Sequence, residues 1–154
     1  MIRQAVPQDL PALLALLSEA RPPTGEVAEH LHTFFVVDDG GRIVASAGLE
    51  VRGDAALLRS LVVAPDVRGT GLGAAVLRRA LHEARLRGAA AVYTLTTTAE
   101  AYLSGFGFER VPRSSLPPQL FESRQLQDAC PASAPVMRIV PASWSANRPI
   151  SAGQ

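Results

Sequence analysis

The chemically capable positions of this chain gather around one turn. Arg68-Gly69-Thr70-Gly71-Leu72-Gly73 lies between an apolar run, Leu61-Val62-Val63, and a segment of helical periodicity. N–H groups at a helix start have no internal partner and carry the positive end of the helix dipole. A turn lined with glycine lets an anionic phosphate reach them. A P-loop needs Gly-Lys-Ser/Thr, and all fifteen basic residues here are Arg, so that chemistry and any lysine Schiff base are excluded. A dinucleotide fingerprint sits near the start of a parallel sheet with an acidic residue about twenty positions on; the segments before this turn read instead as an antiparallel meander. Taken alone, the turn stays open between phosphate binding and simple packing.

Such a turn must be held by a fold, and the 154-residue chain is long enough for one domain with a real core. Composition is 47% hydrophobic and 19% charged, as in folded proteins, and the net charge of +1 gives no electrostatic footprint for nucleic acid or an acidic membrane surface. No stretch approaches the roughly eighteen apolar residues that span a bilayer. The N-terminus is broken by Pro7, Asp9 and Pro11, unlike a signal peptide. Cys130 is alone and the three His show no ligand spacing, so neither a disulfide nor a metal is expected and a reducing cytoplasm fits. Next to Pro131, Cys130 reads as a small buried hydrophobe in preference to a substrate-side thiol.

The periodicities predict a strand over residues 1–5 and a helix over Leu10 to Ala20. A breaker at Arg21-Pro22-Pro23 follows, then a short helix capped by Thr24. Three apolar runs separated by Asp38-Asp39-Gly40-Gly41 and Arg52-Gly53-Asp54 predict antiparallel strands. Leu72, Val76, Leu77, Ala80, Leu81 and Ala84 form one stripe of a helix from Leu72 to Arg87, stopped by Gly88. Beyond it come a buried strand in "AAAVYTLTTT", a short helix in "AEAYLSG", a strand in "FGFERVP", a helix in "PPQLFESRQLQDAC" and a last strand in "APVMRIV". The order β-α-α-β-β-β-α-β-α-β-α-β predicts an α/β (mixed α+β) fold: a mixed, largely antiparallel twisted sheet flanked by helices. Residues 1–140 read as one domain and 141–154 as a flexible tail.

Over about 55 residues, "LLRSLVVAPDVRGTGLGAAVLRRALHEARLRGAAAVYTLTTTAEAYLSGFGFERVP" resembles the GCN5-related N-acetyltransferase (GNAT) superfamily. The resemblance implies that Leu61, Val62 and Val63 pair through their main chain with the pantetheine arm of acetyl-CoA. Arg68, Gly69, Thr70, Gly71, Leu72 and Gly73, running on to Ala74, would hold its pyrophosphate. Ala99 through Gly107-Phe108 would close the cofactor site, and Thr96 stands where relatives often carry Asn, able to hydrogen-bond the cofactor or simply to fit the strand. A narrower resemblance, to the arsenic-resistance-type N-acetyltransferase group, rests on "GLEVRGDAALLRSLVVAP", "TLTTTA" and "CPASAPVM". Together these imply acetyl-CoA as co-substrate, no metal, a small-molecule amine acceptor, no nucleic acid or membrane, and the homodimer common in the family.

The chain departs from the family at its acid–base positions. Many members carry a Glu four residues before Leu61, and that position is Leu57. If Gly53-Asp54 is a two-residue hairpin turn, Arg52 pairs with Ala55, Val51 with Ala56 and Glu50 with Leu57, which puts Glu50 opposite the vacated position and Arg59 diagonal to it on the same face. Glu50 is then the candidate base, directly or through water, and Arg59 the clamp for an acidic acceptor. The bland alternative is an exposed ion pair worth about 0–1 kcal/mol, and a one-residue slip would move Glu50 to the other face. Ser60 alternates away from Arg59. The family's leaving-group Tyr falls at Leu103, one place after Tyr102, which is a candidate donor or a rim aromatic; Thr98 and Ser104 are further hydroxyls. His30 and His32, beside a segment that could cover a cleft, have no evident partner and read as solvated or capping residues. Leu57 and Leu103 keep open a non-catalytic acyl-CoA-binding or sensing module, and an open groove at 21–32 would suit a peptide N-acetyltransferase.

Overall fold

The computed structural model describes residues 1–20, 27–96, 99–122 and 134–140. Its elements are β1 (Ile2–Gln4), α1 (Leu10–Ala20), β2 (Phe34–Asp39), β3 (Arg42–Arg52), β4 (Ala55–Val63), α2 (Leu72–Leu86), β5 (Ala91–Leu95), α3 (Glu100–Phe106), β6 (Glu109–Val111) and β7 (Val136–Ile139). They build one seven-stranded sheet in the order β1-β2-β3-β4-β5-β7-β6. Every neighbouring pair is antiparallel except β4–β5, which is parallel because the chain crosses between them through α2. The last strand does not lie at the edge: β7 inserts between β5 and β6.

The predicted stripe of α2 is its buried face, with Val76, Leu77, Ala80, Leu81 and Ala84 inside. Arg87 caps the helix and Gly88, at φ 84°, turns out of it. Gly88 N–H donates to Arg85 O and Ala89 N–H to Ala84 O, both at 3.0 Å, which closes the end in a Schellman motif. On α1, Leu13, Leu16 and Leu17 enter the same principal core. The short helix expected after the breaker is a 3-10 turn over Ala28–Thr33, kinked at His30, whose φ of −114° and ψ of 16° are not helical. Of the helix expected in "PPQLFESRQLQDAC", a 3-10 turn covers Pro118–Glu122. Thr24, Thr98, Cys130 and the 141–154 tail lie outside the described residues.

The β3–β4 hairpin has the register its turn sequence demands: Arg52 pairs with Ala55, Val51 with Ala56, Glu50 with Leu57. Further along, Gly48 pairs with Arg59 but Ser46 with Val62, so β4 carries one extra residue. This is a β-bulge at Ser60, the one non-glycine residue among those described at positive φ, 57°. Two hydrogen bonds hold the strained residue, from Ser46 Oγ to Ser60 O at 2.7 Å and from Arg59 Nε to Ser60 Oγ at 3.4 Å. Ser60 therefore does not simply alternate away from Arg59. The bulge interrupts the period of two and keeps its hydroxyl beside the guanidinium.

The bulge also flips everything after it. Glu50, Gly48, Leu57, Arg59 and Val62 share one face, while Leu61 and Val63 now share the other with Leu49 and Leu58. That other face receives α2, whose Arg79 guanidinium lies 4.3 Å from the centroid of the Phe35 ring. On the Glu50 face, Ala55, Leu57, Tyr93, Leu95, Leu116, Leu120, Ala134 and Val136 form a second, smaller core.

Candidate active site

Beyond the hairpin turn, β4 and β5 part company. They pair only over Ala55–Ala91, Ala56–Val92 and Leu57–Tyr93, although β4 continues to Val63 and β5 to Leu95. Thr94 Oγ1 donates to Leu58 O at 2.9 Å across the widening gap. Past that bridge, among the described residues, the β4–β5 ladder does not continue along β4, leaving a wedge in the middle of the sheet. Main-chain amides along one wall of a narrow slot suit an extended ligand that itself carries amides.

At the open end of the wedge stands the glycine turn. Gly71 is the N-cap of α2 in left-handed geometry, φ 86° and ψ 0°, and Gly69 has φ 80°. The first internal bond of the helix is from Ala75 N–H to Gly71 O, 3.1 Å, so the N–H groups of Leu72, Gly73 and Ala74 precede it and point out of the helix end. Arg68 Nε donates to Val63 O at 3.1 Å and Thr70 Oγ1 to Val67 O at 2.5 Å, which ties the turn to the end of β4. A Cβ at Gly73 would lie 3.1 Å from Val63 Cγ2 and 3.5 Å from the Tyr102 hydroxyl. Turn, strand end and Tyr102 are thus in direct apposition.

At the other end of the wedge is a charged cluster. Glu50 Oε2 accepts from Arg59 Nη1 at 2.8 Å, with side-chain exposures of 0% and 1%. Glu50 Oε1 accepts from Arg52 Nη2 at 3.1 Å and lies 3.9 Å from His30 Nε2, and both of those side chains are 19% exposed. The Glu50–Arg59 pair is buried, unlike the exposed ion pair of the bland alternative, and Arg52 and His30 beside it reach solvent. Arg59 is packed further by Phe34, whose ring centroid is 6.0 Å from the guanidinium carbon; Gly48 between them has no Cβ to keep the ring away. Through Arg59 Nε the cluster touches Ser60, so it is continuous with the bulge.

The remaining candidates are more dispersed. Leu61 and Val63 are half-buried against α2's side of the core and Val62 is buried on the other face. Thr96 Oγ1 accepts from Ala99 N–H at 2.8 Å and so shapes the approach to α3. Leu103 is in the core, while Tyr102 is 46% exposed, its ring centroid 6.3 Å from that of Phe106. Partial burial pushes the Tyr102 hydroxyl pKa up, against the opposing pull of Arg78, so the group stays protonated at neutral pH. Its place beside Gly73 is at the turn end of the wedge, away from the charged cluster's end. The sequence reading of His30 as a solvated or capping residue without an evident partner is corrected by its place beside Glu50, and Arg52 and Phe34 were missed. Of the two missed residues, Arg52 carried a signal, its position two residues from Glu50 on one strand face.

Among the described residues, no group of three or more His, Cys, Asp or Glu is placed to hold a metal ion, and no helix is long and apolar enough to cross a membrane. No curated protein sequence matches the chain. Solved structures share its fold. N-acetylglutamate synthase from Neisseria gonorrhoeae, complexed with coenzyme A and N-acetyl-glutamate, superposes with a TM-score of 0.78 at 21% identity, over 91% of this chain and 34% of that one. The chain thus spans about a third of that enzyme's length. Rv2747 from Mycobacterium tuberculosis, in complex with CoA, gives 0.74 at 22% identity over 91% and 98% of the two chains. The ribosomal-protein-S18-alanine N-acetyltransferase from Escherichia coli gives 0.64 at 23% over 91% and 92%. The sequence profile of the acetyltransferase (GNAT) family matches residues 7–108, two-thirds of the chain, and with the wedge, bulge and glycine turn in place the chain belongs to that family.

Proposed function

We propose that this acetyltransferase moves the acetyl group of acetyl-CoA to the amine of a small, acidic or amino-acid-like acceptor. One observation carries the reading: the wedge between β4 and β5 joins a glycine-lined helix start to a cluster of arginines around Glu50. The slot fits the coenzyme by its own features. Anion-accepting N–H groups stand at Leu72, Gly73 and Ala74, the main chain of Leu61 to Val63 is open to an amide-bearing arm, and the absence of side chains at Gly69, Gly71 and Gly73 permits close approach. When bound, acetyl-CoA supplies an acyl group activated as a thioester; the chain's residues bind, orient and manage protons. The complexes of neighbouring structures with CoA and with N-acetyl-glutamate support the same assignment of ligand classes.

Within this reading Arg68, Gly69, Thr70, Gly71, Leu72, Gly73 and Ala74 hold the pyrophosphate, and Thr96 shapes the wall of the slot. Tyr102, beside Gly73, is better placed to meet the coenzyme's phosphate end than to protonate a leaving thiolate. Glu50 serves through water or through a neighbour, because both of its oxygens already accept from guanidinium groups. Arg59, almost wholly buried on Glu50, orients that carboxylate, and Arg52 at the rim offers the guanidinium that an acceptor's carboxylate can reach. The resemblance to the arsenic-resistance group supports a resistance-linked acceptor, a cytoplasmic setting fits the lone Cys130, and a homodimer follows family habit.

The test is CoA release from acetyl-CoA, followed with and without amino acids, phosphinate and arsenical amines, polyamines and an alanine-ended peptide. Amine-dependent release strongest with acidic amino-acid-like amines is expected. Release only with the peptide would move the acceptor class to protein N-termini, and tight acetyl-CoA binding with no release across the panel would make the chain a sensor.

A further inference from the structure

The Glu50 cluster contains a group the family resemblance does not supply. His30 sits on the 3-10 turn before β2, and its Nε2 is 3.9 Å from Glu50 Oε1. The turn is pinned where it meets the sheet, since the one hydrogen of the Thr33 hydroxyl is shared between Leu49 O at 2.6 Å and His30 O at 3.0 Å. These bonds fix the backbone that aims the imidazole. The kink at His30 is what separates its direction from that of the rest of the turn.

Chemistry divides the cluster by access. Glu50 and Arg59 are sealed from solvent, and Glu50's two oxygens hold guanidinium groups, so a proton arriving from outside meets His30 or Arg52 first. Arg52 is a permanent cation and cannot take one. Imidazole can, and a carboxylate at hydrogen-bonding reach after a small ring movement favours the imidazolium that results. Among the described residues, the titratable and charged groups around His30 are Glu50 and Arg52 on β3, Arg59 on β4, and Glu29 and His32 on its own turn. Glu50 favours His30's charged form, and the two arginines oppose it; the single carboxylate offsets one of their two charges and is the partner nearest the imidazole.

The geometry points to His30 as the group that takes the proton from the acceptor's amine, with Glu50 as its positioning partner. This rests on the acetyltransferase reading above. As the amine nitrogen bonds to the acyl carbon and the carbon–sulfur bond opens, one N–H proton passes to the imidazole, directly or through one water, and the departing thiolate is protonated from solvent. His30 then returns its proton to water. Successive contacts from His30 to Glu50, Glu50 to Arg59 and Arg59 to Ser60 link this proton acceptor to the bulge at which the open part of β4 begins.

The test uses the full chain, acetyl-CoA and L-glutamate, together with the amine panel above. His30→Ala should lower kcat on the order of 100-fold while leaving the KM for acetyl-CoA within about twofold, and added imidazole should restore part of the loss. In wild type, kcat/KM should fall as pH drops and His30 becomes charged, and that acidic limb should be missing from His30→Ala. Independently of turnover, the imidazole titration followed by NMR should move to lower pH in Glu50→Gln; a Glu50→Gln/Arg59→Gln double variant serves if the single one does not fold. Full kcat in His30→Ala with an unchanged pH profile, or a His30 midpoint indifferent to Glu50, overturns the inference alone. Absence of amine-dependent release by wild type overturns the functional reading and this inference with it.

Discussion

Gly48→Ala should destabilise the protein through a single contact. Gly48 stands between Phe34 on β2 and Arg59 on β4, paired with both. A Cβ built on it would fall 2.4 Å from Phe34 Cζ and 2.6 Å from Cε1 and Cε2. Carbon atoms settle about 3.5–4.0 Å apart, so the ring has to retreat by more than about 1 Å. It is fully buried and backed by Arg59, which leaves little room to do so. Overpacking costs about 1–3 kcal/mol, and this rigid site belongs near the top of that range. Reduced freedom of the unfolded chain offsets about 0.4–1 kcal/mol. The remaining loss of about 2 kcal/mol corresponds to about 4–8 °C in Tm for a chain of this size. Thermal melts of wild type, Gly48→Ala, Phe34→Leu and the double variant measure it; in the Phe34→Leu background the alanine should cost less than about half as much. A Gly48→Ala protein that melts within about 1 °C of wild type would refute the argument.

Four further outcomes follow from the same geometry. Arg59→Met takes the buried guanidinium from Glu50 Oε2 and leaves the carboxylate to Arg52 at the rim, so it should cost up to about 3 kcal/mol in denaturant unfolding, whereas Glu50→Leu/Arg59→Met should recover most of that stability and none of the transfer activity. Gly71→Val forces a branched residue into left-handed geometry at the α2 N-cap, so calorimetry should show acetyl-CoA binding at least about tenfold weaker, with a strain cost of about 1–2 kcal/mol. Tyr102→Phe should raise the KM for acetyl-CoA with little change in kcat; a large fall in kcat would return Tyr102 to the role of leaving-group acid. The Arg3 guanidinium holds the carboxyls of Asp9 and Asp38 below their ordinary values, and the N–H groups of Val6 and Gly41 add to this. Their stabilisation is present above the unfolded-state carboxyl range and is lost as pH falls through the depressed folded values. Tm measured from pH 6 to about pH 2 should therefore drop less in Arg3→Met than in wild type.

The parts of the molecule legible in the sequence are those set by local rules. Gly53-Asp54 fixed the hairpin register to the residue because a two-residue turn admits one pairing, and the stripe of α2 with its Gly88 stop located that helix. The bulge was invisible because Ser60 occupies left-handed geometry without the Gly or Asn that would signal it; what stabilises it is Ser46, fourteen positions away. The nearness of His30 to Glu50 is likewise a long-range consequence of how the turn before β2 docks on β3. Nor does local sequence reveal that β7 inserts inside β6, because strand order is decided by which edges remain unpaired when the last strand arrives.

The short β4–β5 seam has a mechanical consequence. Among the described residues, three pairs join the β1–β4 part of the sheet to the β5–β6 part across it, Ala55–Ala91, Ala56–Val92 and Leu57–Tyr93, with the bond from Ala90 N–H to Asp54 O at 2.7 Å beside them. The sheet is two leaves on one spine, and Thr94 is the clasp nearest the open side. A ligand lying between the leaves braces both, so its arrival should slow amide exchange in β7 and β6 as well as along β4, although β5 separates both of those strands from β4 in the sheet order. Lengthening or cutting that spine would change how the leaves move without altering a single residue that meets the ligand.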